Sequence, residues 1–439
     1  MPVQNYLNGE TAVKIARGVE EALADGRAAA GDPLPPVRTL ATRLGVSPAT
    51  AAAAYRLLRE RGLAIADGRR GTRIRPAPPV AALTAAPLPA GVRDLSEGNP
   101  DPGVLPDVER VVRTLRVPPR VYGDELNDPG LLALAKEQFA ADRVPAEHVA
   151  VVSGALDGIE RVLREHLRPG DRVAVEDPCF TGVADLLAAL SLIAVPVAVD
   201  DEGPLPEALE AMPSVAALIV TPRAQNPTGA AIGERRARRL RTILRTRPSL
   251  LVIEDDHAGP VAGAPYVTLV DAGRARWAVV RSVSKSLGPD LRVALLAGDA
   301  ATIARVEGRQ TLGIRWVSHL LQTLVAALWR DKRVQRQLAR AERTYAERRR
   351  ALLAALRARG IEAHGVSGLN VWIPLPEENA AVQALMRKGW AVKAGERYRI
   401  RSEAAIRVTT AALEPADAVR FADDLASLFG ATRRTTSAA

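Results

Sequence analysis

The chain has 439 residues, with 60 Lys and Arg against 50 Asp and Glu and a formal net charge of +10. That length predicts two or three domains, and 47% hydrophobic with 25% charged residues is the make-up of a soluble globular protein. The single cysteine, Cys179, excludes an intramolecular disulfide and fits a reducing cytoplasm, and neither a basic-then-apolar leader nor an apolar run of bilayer length is present.

Charge is unevenly spread. Residues 1–75 carry twelve Lys and Arg against seven Asp and Glu, a net +5 in about a sixth of the length. Such an excess favours an anionic partner for this part, nucleic acid first. The pattern here predicts three short helices, about 11–24, 37–44 and 48–61, and then a small hairpin around the turn "DGRRGT". In "LPPVRTLATRLGVSPATAAAAYRLLRERG", Leu40 and Leu44 make an apolar seam and Gly45 supplies a tight turn. Ser47 is an N-cap ahead of Pro48, and Tyr55, Leu57 and Leu58 bury one side of the next helix. This is the layout of a helix-turn-helix, with Ser47, Ala49 and Thr50 at the end of the helix that enters a major groove.

From Gly26 to Ile74 the chain resembles the winged helix-turn-helix of the GntR family, through "GDPLPPVRTLATRLGVS" and the closing "GRRGTRI". The resemblance implies binding to double-stranded DNA, with Arg69 and Arg70 on a wing that reaches phosphate or minor groove. Family members often carry Arg near position 49, which is Ala here. Base readout is therefore expected from Arg38, Arg43 and Thr50, helped by DNA shape. Residues 76–93 follow as a Pro- and Ala-rich linker with no helical or strand period.

From residue 94 to 430, strand-like and helical runs alternate: "VAVVSG", "RVAVEDP", "AALIVTP", "LLVIEDD", "WAVVRSVSK" and "VALLAG" are the strands. This predicts an α/β fold with a mostly parallel sheet covered on both faces, and a ligand beyond the carboxyl ends of its strands. The residues that follow those strands are therefore the candidates. Ser153, Gly154, Ala155 and Leu156 open a helix that could offer N–H groups to a phosphate. Asn226 stands in "QNPTG", Asp255 in "EDDH", and Lys285 in "SVSKSLGPDLRVA" with Ser282, Ser284 and Arg292. A pyridine aldehyde phosphate needs a lysine to form an imine, a carboxylate for its ring nitrogen, a donor at its hydroxyl, a stacking ring and an anion cradle. Lys285, Asp255, Asn226, Phe180, the 153–156 helix start and Arg292 could supply these, and no metal is called for.

Residues 94–430 resemble the fold-type I aspartate aminotransferases, from "DLSEGNPDPGVLP" through "VYGDELNDPGLLALA" to "IRVTTAALEPADAVRFADDLASL". The resemblance implies pyridoxal 5'-phosphate bound through Lys285, with Asp255 at the ring nitrogen, Asn226 near the ring hydroxyl and Phe180 stacked on the ring. It further implies that Tyr122 reaches the cofactor phosphate of a second subunit, in a homodimer, and that Arg407 holds a ligand carboxylate. Two positions depart from the pattern: His257 stands where Tyr is usual, and Leu156 with Asp157 where Gln is common. The basic segment 330–360 is expected to be a solvated helix linking two lobes, and 431–439 a disordered tail.

A winged helix ahead of such a body is similar to the MocR subfamily of GntR regulators. That resemblance implies a cytoplasmic transcription factor sensing pyridoxal phosphate or an amino compound. The alternatives are an active aminotransferase with an accessory N-terminal module, and a DNA-binding protein whose body is only a dimerisation scaffold.

Overall fold

A computed structural model of the chain describes residues 8–25, 27–29, 31–60, 63–66, 71–74, 88–271 and 273–435. The chain divides into two compact units.

In the first, helices Ala12–Ala24, Val37–Leu44 and Pro48–Glu60 precede a hairpin in which Ala64–Ala66 pairs antiparallel with Thr72–Ile74. Thr11 opens the first helix by accepting the Lys14 N–H at 3.3 Å. Gly45 closes the second in the left-handed region, at φ +66°, where a Cβ costs about 1–2 kcal/mol. Ser47 then opens the third, its Oγ accepting the Thr50 N–H at 3.1 Å. Ile15, Val19, Leu40, Tyr55, Leu58 and Ile74 meet in one apolar core, where each aliphatic side chain contributes about 2 kcal/mol. The Tyr55 hydroxyl is satisfied there by donating to Pro35 O at 2.6 Å.

The second unit is built on an eight-stranded sheet. Its strands lie in the order 149–152, 294–298, 277–282, 251–256, 217–220, 172–177, 193–200 and 203–204. Strand Leu251–Asp256 runs parallel to Trp277–Ser282 and to Ala217–Val220, whereas Ala294–Gly298 runs against both its neighbours. The central strands are buried on both faces and apolar over their first halves, and then Glu254, Asp255 and Asp256 end one and Arg281 and Ser282 the other. Polarity enters only at the carboxyl edge. A smaller lobe has a three-stranded antiparallel sheet, Asn370–Pro374, Ala405–Thr409 and Lys393–Ala394, packed on helices Lys332–Arg357 and Pro415–Thr435. In Ala405–Thr409, Ile406 and Val408 enter that lobe's core, so period two turns Arg407 to the opposite face.

Three boundaries differ from the sequence reading. The helix Lys332–Arg357 is amphipathic, not simply solvated: Val334, Leu338, Tyr345, Leu352 and Leu356 are buried along one face. Even Arg349 is buried, donating to the carbonyls of Gly365, Val366 and Gly368 at 2.6–2.9 Å. The last helix runs to Thr435, past residue 430. Most of the proposed linker lies outside the described residues, and its end at Arg93–Asp94 already pairs in parallel with Trp390–Ala391.

Candidate functional site

The site lies at the carboxyl edge of the large sheet. Lys285 follows strand Trp277–Ser282 by three residues and donates from Nζ to Gly98 O at 2.6 Å. Burial pushes its pKa down to about 8, and the positive charges of Arg407 and Arg292 push the same way. Its amine is therefore far more often neutral at physiological pH than an ordinary lysine's, which is what attack on a carbonyl requires.

Asp255 and Asp256 end the neighbouring strand. Asp256 is gripped by Arg223 at 2.8 and 3.0 Å and by Arg281 at 2.6 Å, and these guanidinium groups hold its pKa at about 2 although burial opposes them. Asp255 points the other way. Its Oδ1 is buried without a hydrogen-bond partner among the described residues, and burial, reinforced by Asp256, raises its pKa to about 7.

Arg292 adopts a left-handed conformation, φ 46° and ψ 44°, and donates from Nη2 to Ser153 O at 3.2 Å. Gly154, at φ +106°, lies so close that a Cβ there would stand 2.6 Å from Arg292 Nη2. Only glycine lets this guanidinium approach the helix that begins at Ala155. Leu156 and Phe180 converge on Gly182, where a Cβ would lie 2.9 Å from Leu156 Cδ1 and 2.6 Å from Phe180 Cε1. Asp157 accepts the Ser153 N–H at 2.9 Å and pairs with Arg161. It therefore caps its own helix. Ser282 and Ser284 bond to each other, Oγ to Oγ at 2.9 Å.

His257 is half-buried and its Nε2 bonds Ala224 O at 2.8 Å. Burial, with the Lys285 charge second, lowers its pKa to about 4. The ring is neutral, and because the carbonyl can only accept, Nε2 carries the proton.

Arg407 is 3% exposed. It donates to Ser96 O and, at 3.2 Å, to Asn226 Oδ1, with its guanidinium 5.1 Å from the Tyr398 ring centroid. Its Nε has no hydrogen-bond partner, and among the described residues no carboxylate forms an ion pair with it. Burial lowers its pKa accordingly. A buried cation without an anion is costly, and a ligand carboxylate is the group that would complete it.

These residues fit pyridoxal phosphate. An unpartnered buried carboxyl oxygen suits a protonated ring nitrogen, and the Gly154–Arg292 approach at a helix start suits a phosphate. The neutral-leaning lysine suits the aldehyde. Asn226 is held beside Arg407 by the bond to its Oδ1. Tyr122 is not drawn in: it is 78% exposed and packs on Trp316 at 5.6 Å, with Arg315 over its ring. In the first unit Arg38, Arg43 and Ser47 are exposed and Thr50 half-buried, while Arg69 and Arg70 lie outside the described residues. Sequence reasoning passed over Gly98, Arg223 and Asp177. Gly98 and Asp177 stand inside quoted motifs, so the signal was present without a role attached to it.

Residues 129–425 match the aminotransferase class I and II family, and residues 11–74 match the bacterial regulatory proteins of the gntR family. The chain is 41% identical over 424 residues to the vitamin B6 salvage pathway transcriptional repressor PtsJ of Salmonella typhimurium, covering 95% of this chain and 98% of that one. It is 28% identical to the pyridoxine biosynthesis transcriptional regulator PdxR of Corynebacterium glutamicum, over 76% of each chain. The fold is shared with LysN, an α-aminoadipate aminotransferase of Thermus thermophilus, at a TM-score of 0.69 and 23% identity over 77% of this chain and 92% of that one. A gntR module and a class I and II aminotransferase body in one chain, matched nearly end to end by a repressor, place this protein in the MocR family of gntR-type transcriptional regulators.

Proposed function

We propose that the protein is a regulator that binds operator DNA through its N-terminal unit and takes pyridoxal phosphate at Lys285. An amino acid or related amine is then read through Arg407. The carrying observation is the pairing, in one site, of Lys285 with a lowered pKa and Asp255 with an unpartnered buried oxygen.

Bound there, pyridoxal phosphate supplies an aldehyde carbon that primary amines attack. The residues do the rest. Lys285 offers a neutral amine, and Gly98 O holds its Nζ in place. Asp255 keeps a ring nitrogen protonated, while Arg292 and the helix start at 153–156 neutralise phosphate. Phe180 and Leu156 give an apolar wall that excludes water from one side. Arg407 orients a carboxylate, and Asn226, whose Oδ1 accepts from Arg407, keeps its Nδ2 to donate to the ring hydroxyl oxygen. A ligand favouring one arrangement of these groups shifts DNA affinity by its differential binding and by no more.

Exposed Val121, Tyr122, Leu312 and Ile314 near the Tyr122–Trp316 pair support a homodimer, in which such apolar surface is covered. The function is tested by following the absorbance of purified protein with pyridoxal phosphate and candidate amino acids, alongside operator binding. The expected result is a shifted cofactor band and an operator affinity that changes with the same ligand. A band without any DNA response would favour the aminotransferase alternative.

A further inference from the structure

Asp177 stands at the end of strand Arg172–Asp177, 5% exposed and three residues before Phe180. Its carboxylate receives four hydrogen bonds from one short loop of the smaller lobe. Oδ1 accepts from Ile400 N at 2.8 Å and Ser402 Oγ at 2.9 Å, and Oδ2 accepts from Arg401 N at 2.7 Å and Ser402 N at 3.0 Å. Two residues further on, the Cys179 N–H donates to Tyr398 O at 2.7 Å. Five bonds thus join the segment bearing Phe180 to the segment 398–402.

That second segment bears directly on Arg407. The Tyr398 ring lies 5.1 Å from the Arg407 guanidinium and edge-on to Trp372, and Trp372 is Arg407's partner across the sheet. On its far side the loop is held by Glu378, which accepts the Ala405 N–H at 3.0 Å and pairs with Arg399 at 2.8 Å. Nothing in this linkage passes through Lys285 or Asp255.

We infer that Asp177 is a positioning residue for the ligand carboxylate: it ties the ring-stacking segment 178–180 to the loop that sets Tyr398 against Arg407, so that an occupied ring site presents a correctly placed clamp. The inference rests on the reading of Phe180 and Arg407 given above. Charge-assisted bonds to three backbone N–H groups are the means, since a neutral side chain cannot accept them all with equal strength. Removing the carboxylate leaves Arg407 present and buried, with its loop joined to the 177–180 segment by the Cys179–Tyr398 bond alone.

The experiment compares two probes on the full chain, pyridoxamine phosphate and N-(5'-phosphopyridoxyl)-L-leucine. They share the ring and phosphate and differ in the leucyl group, its carboxylate and side chain. The ratio of their dissociation constants cancels the ring and phosphate and reads the leucyl side of the site, where Arg407 would meet the carboxylate. Asp177→Asn should lower the conjugate's advantage by about tenfold and leave pyridoxamine phosphate affinity within about twofold. Ser402→Ala, which removes one bond from the loop side and does not disturb the sheet, should move the ratio in the same direction by less. Equal weakening of both probes would make Asp177 a support of the Phe180 segment only and overturn the inference, as would an unchanged ratio in both variants. Failure of the unsubstituted protein to bind either probe would instead overturn the cofactor reading on which it rests.

Discussion

Asp255 and Asp256 are consecutive residues of one strand, yet Asp256 is clamped by Arg223 and Arg281 while Asp255 Oδ1 meets no donor. Strand alternation sends the two side chains to opposite faces of the sheet, one into an ion-pair network and the other toward the site. The same two-letter motif thus holds one paired carboxylate and one whose Oδ1 has no partner among the described residues.

Asp255→Asn should weaken pyridoxal phosphate binding, measured by equilibrium titration, and leave the fold intact. Asp256→Asn should instead destabilise the protein by about 3–5 kcal/mol, because it takes the carboxylate from the buried Arg223 and leaves Arg281 only Asp142. The pH dependences have opposite senses. Asp256 has a folded pKa of about 2, below its ordinary 3.8, so the stability it lends is full above about pH 4 and is lost as pH falls toward 2. Asp255 has a raised folded pKa of about 7, so in the cofactor-free protein its burial penalty grows as pH rises from about 4 to 7. Denaturation of Asp255→Asn at pH 5 and 8 should show that penalty removed.

Reduction with borohydride should fix the cofactor to Lys285, as peptide mapping would show, and Lys285→Ala should abolish the labelled peptide. With a pKa of about 8, roughly a tenth of the amine is neutral at pH 7. The rate of cofactor capture should therefore climb about tenfold between pH 6 and 7 and level off above 8. A rate still rising steeply at pH 10 would show an ordinary lysine.

Arg407→Ala should preserve cofactor binding and basal operator affinity while weakening an amino acid effector about 10- to 100-fold. Arg407→Lys should recover little, since a point charge cannot match both carboxylate oxygens. If the protein turned over amino groups rapidly, the same substitution would chiefly lower kcat/KM, and a coupled transaminase assay separates the two outcomes.

Operator affinity should fall steeply with salt, by a slope of about 0.9 for each phosphate neutralised. Arg69→Gln with Arg70→Gln should weaken all DNA alike, whereas Arg38→Ala or Thr50→Ala should narrow the gap between operator and random duplex. Tyr55→Phe, which removes the buried bond to Pro35 O, should cost about 1 kcal/mol of stability in the N-terminal unit.

Much of this was legible in the chain. The three N-terminal helices and hairpin follow from local signals, a Gly turn, the Ser47 N-cap and apolar spacing, and the observed ends fall within a residue of those expected. The strand-end positions of Asn226, Asp255 and Lys285 follow from an apolar run that stops where polarity begins. Local sequence carries such features because capping and periodicity act within a few residues. The partners could not be read this way. Gly98 beneath Lys285 lies 187 residues away, and Ser96 beside Arg407 lies 311 away. Asp177 took its meaning only when a loop more than 220 residues later closed over it. The sequence by itself determined which side chains could do the chemistry and at which strand ends they stand. The packing of two lobes decided which carboxylate is paired, which arginine lacks an anion and which backbone atoms hold the lysine, because burial and long-range contact set those energies.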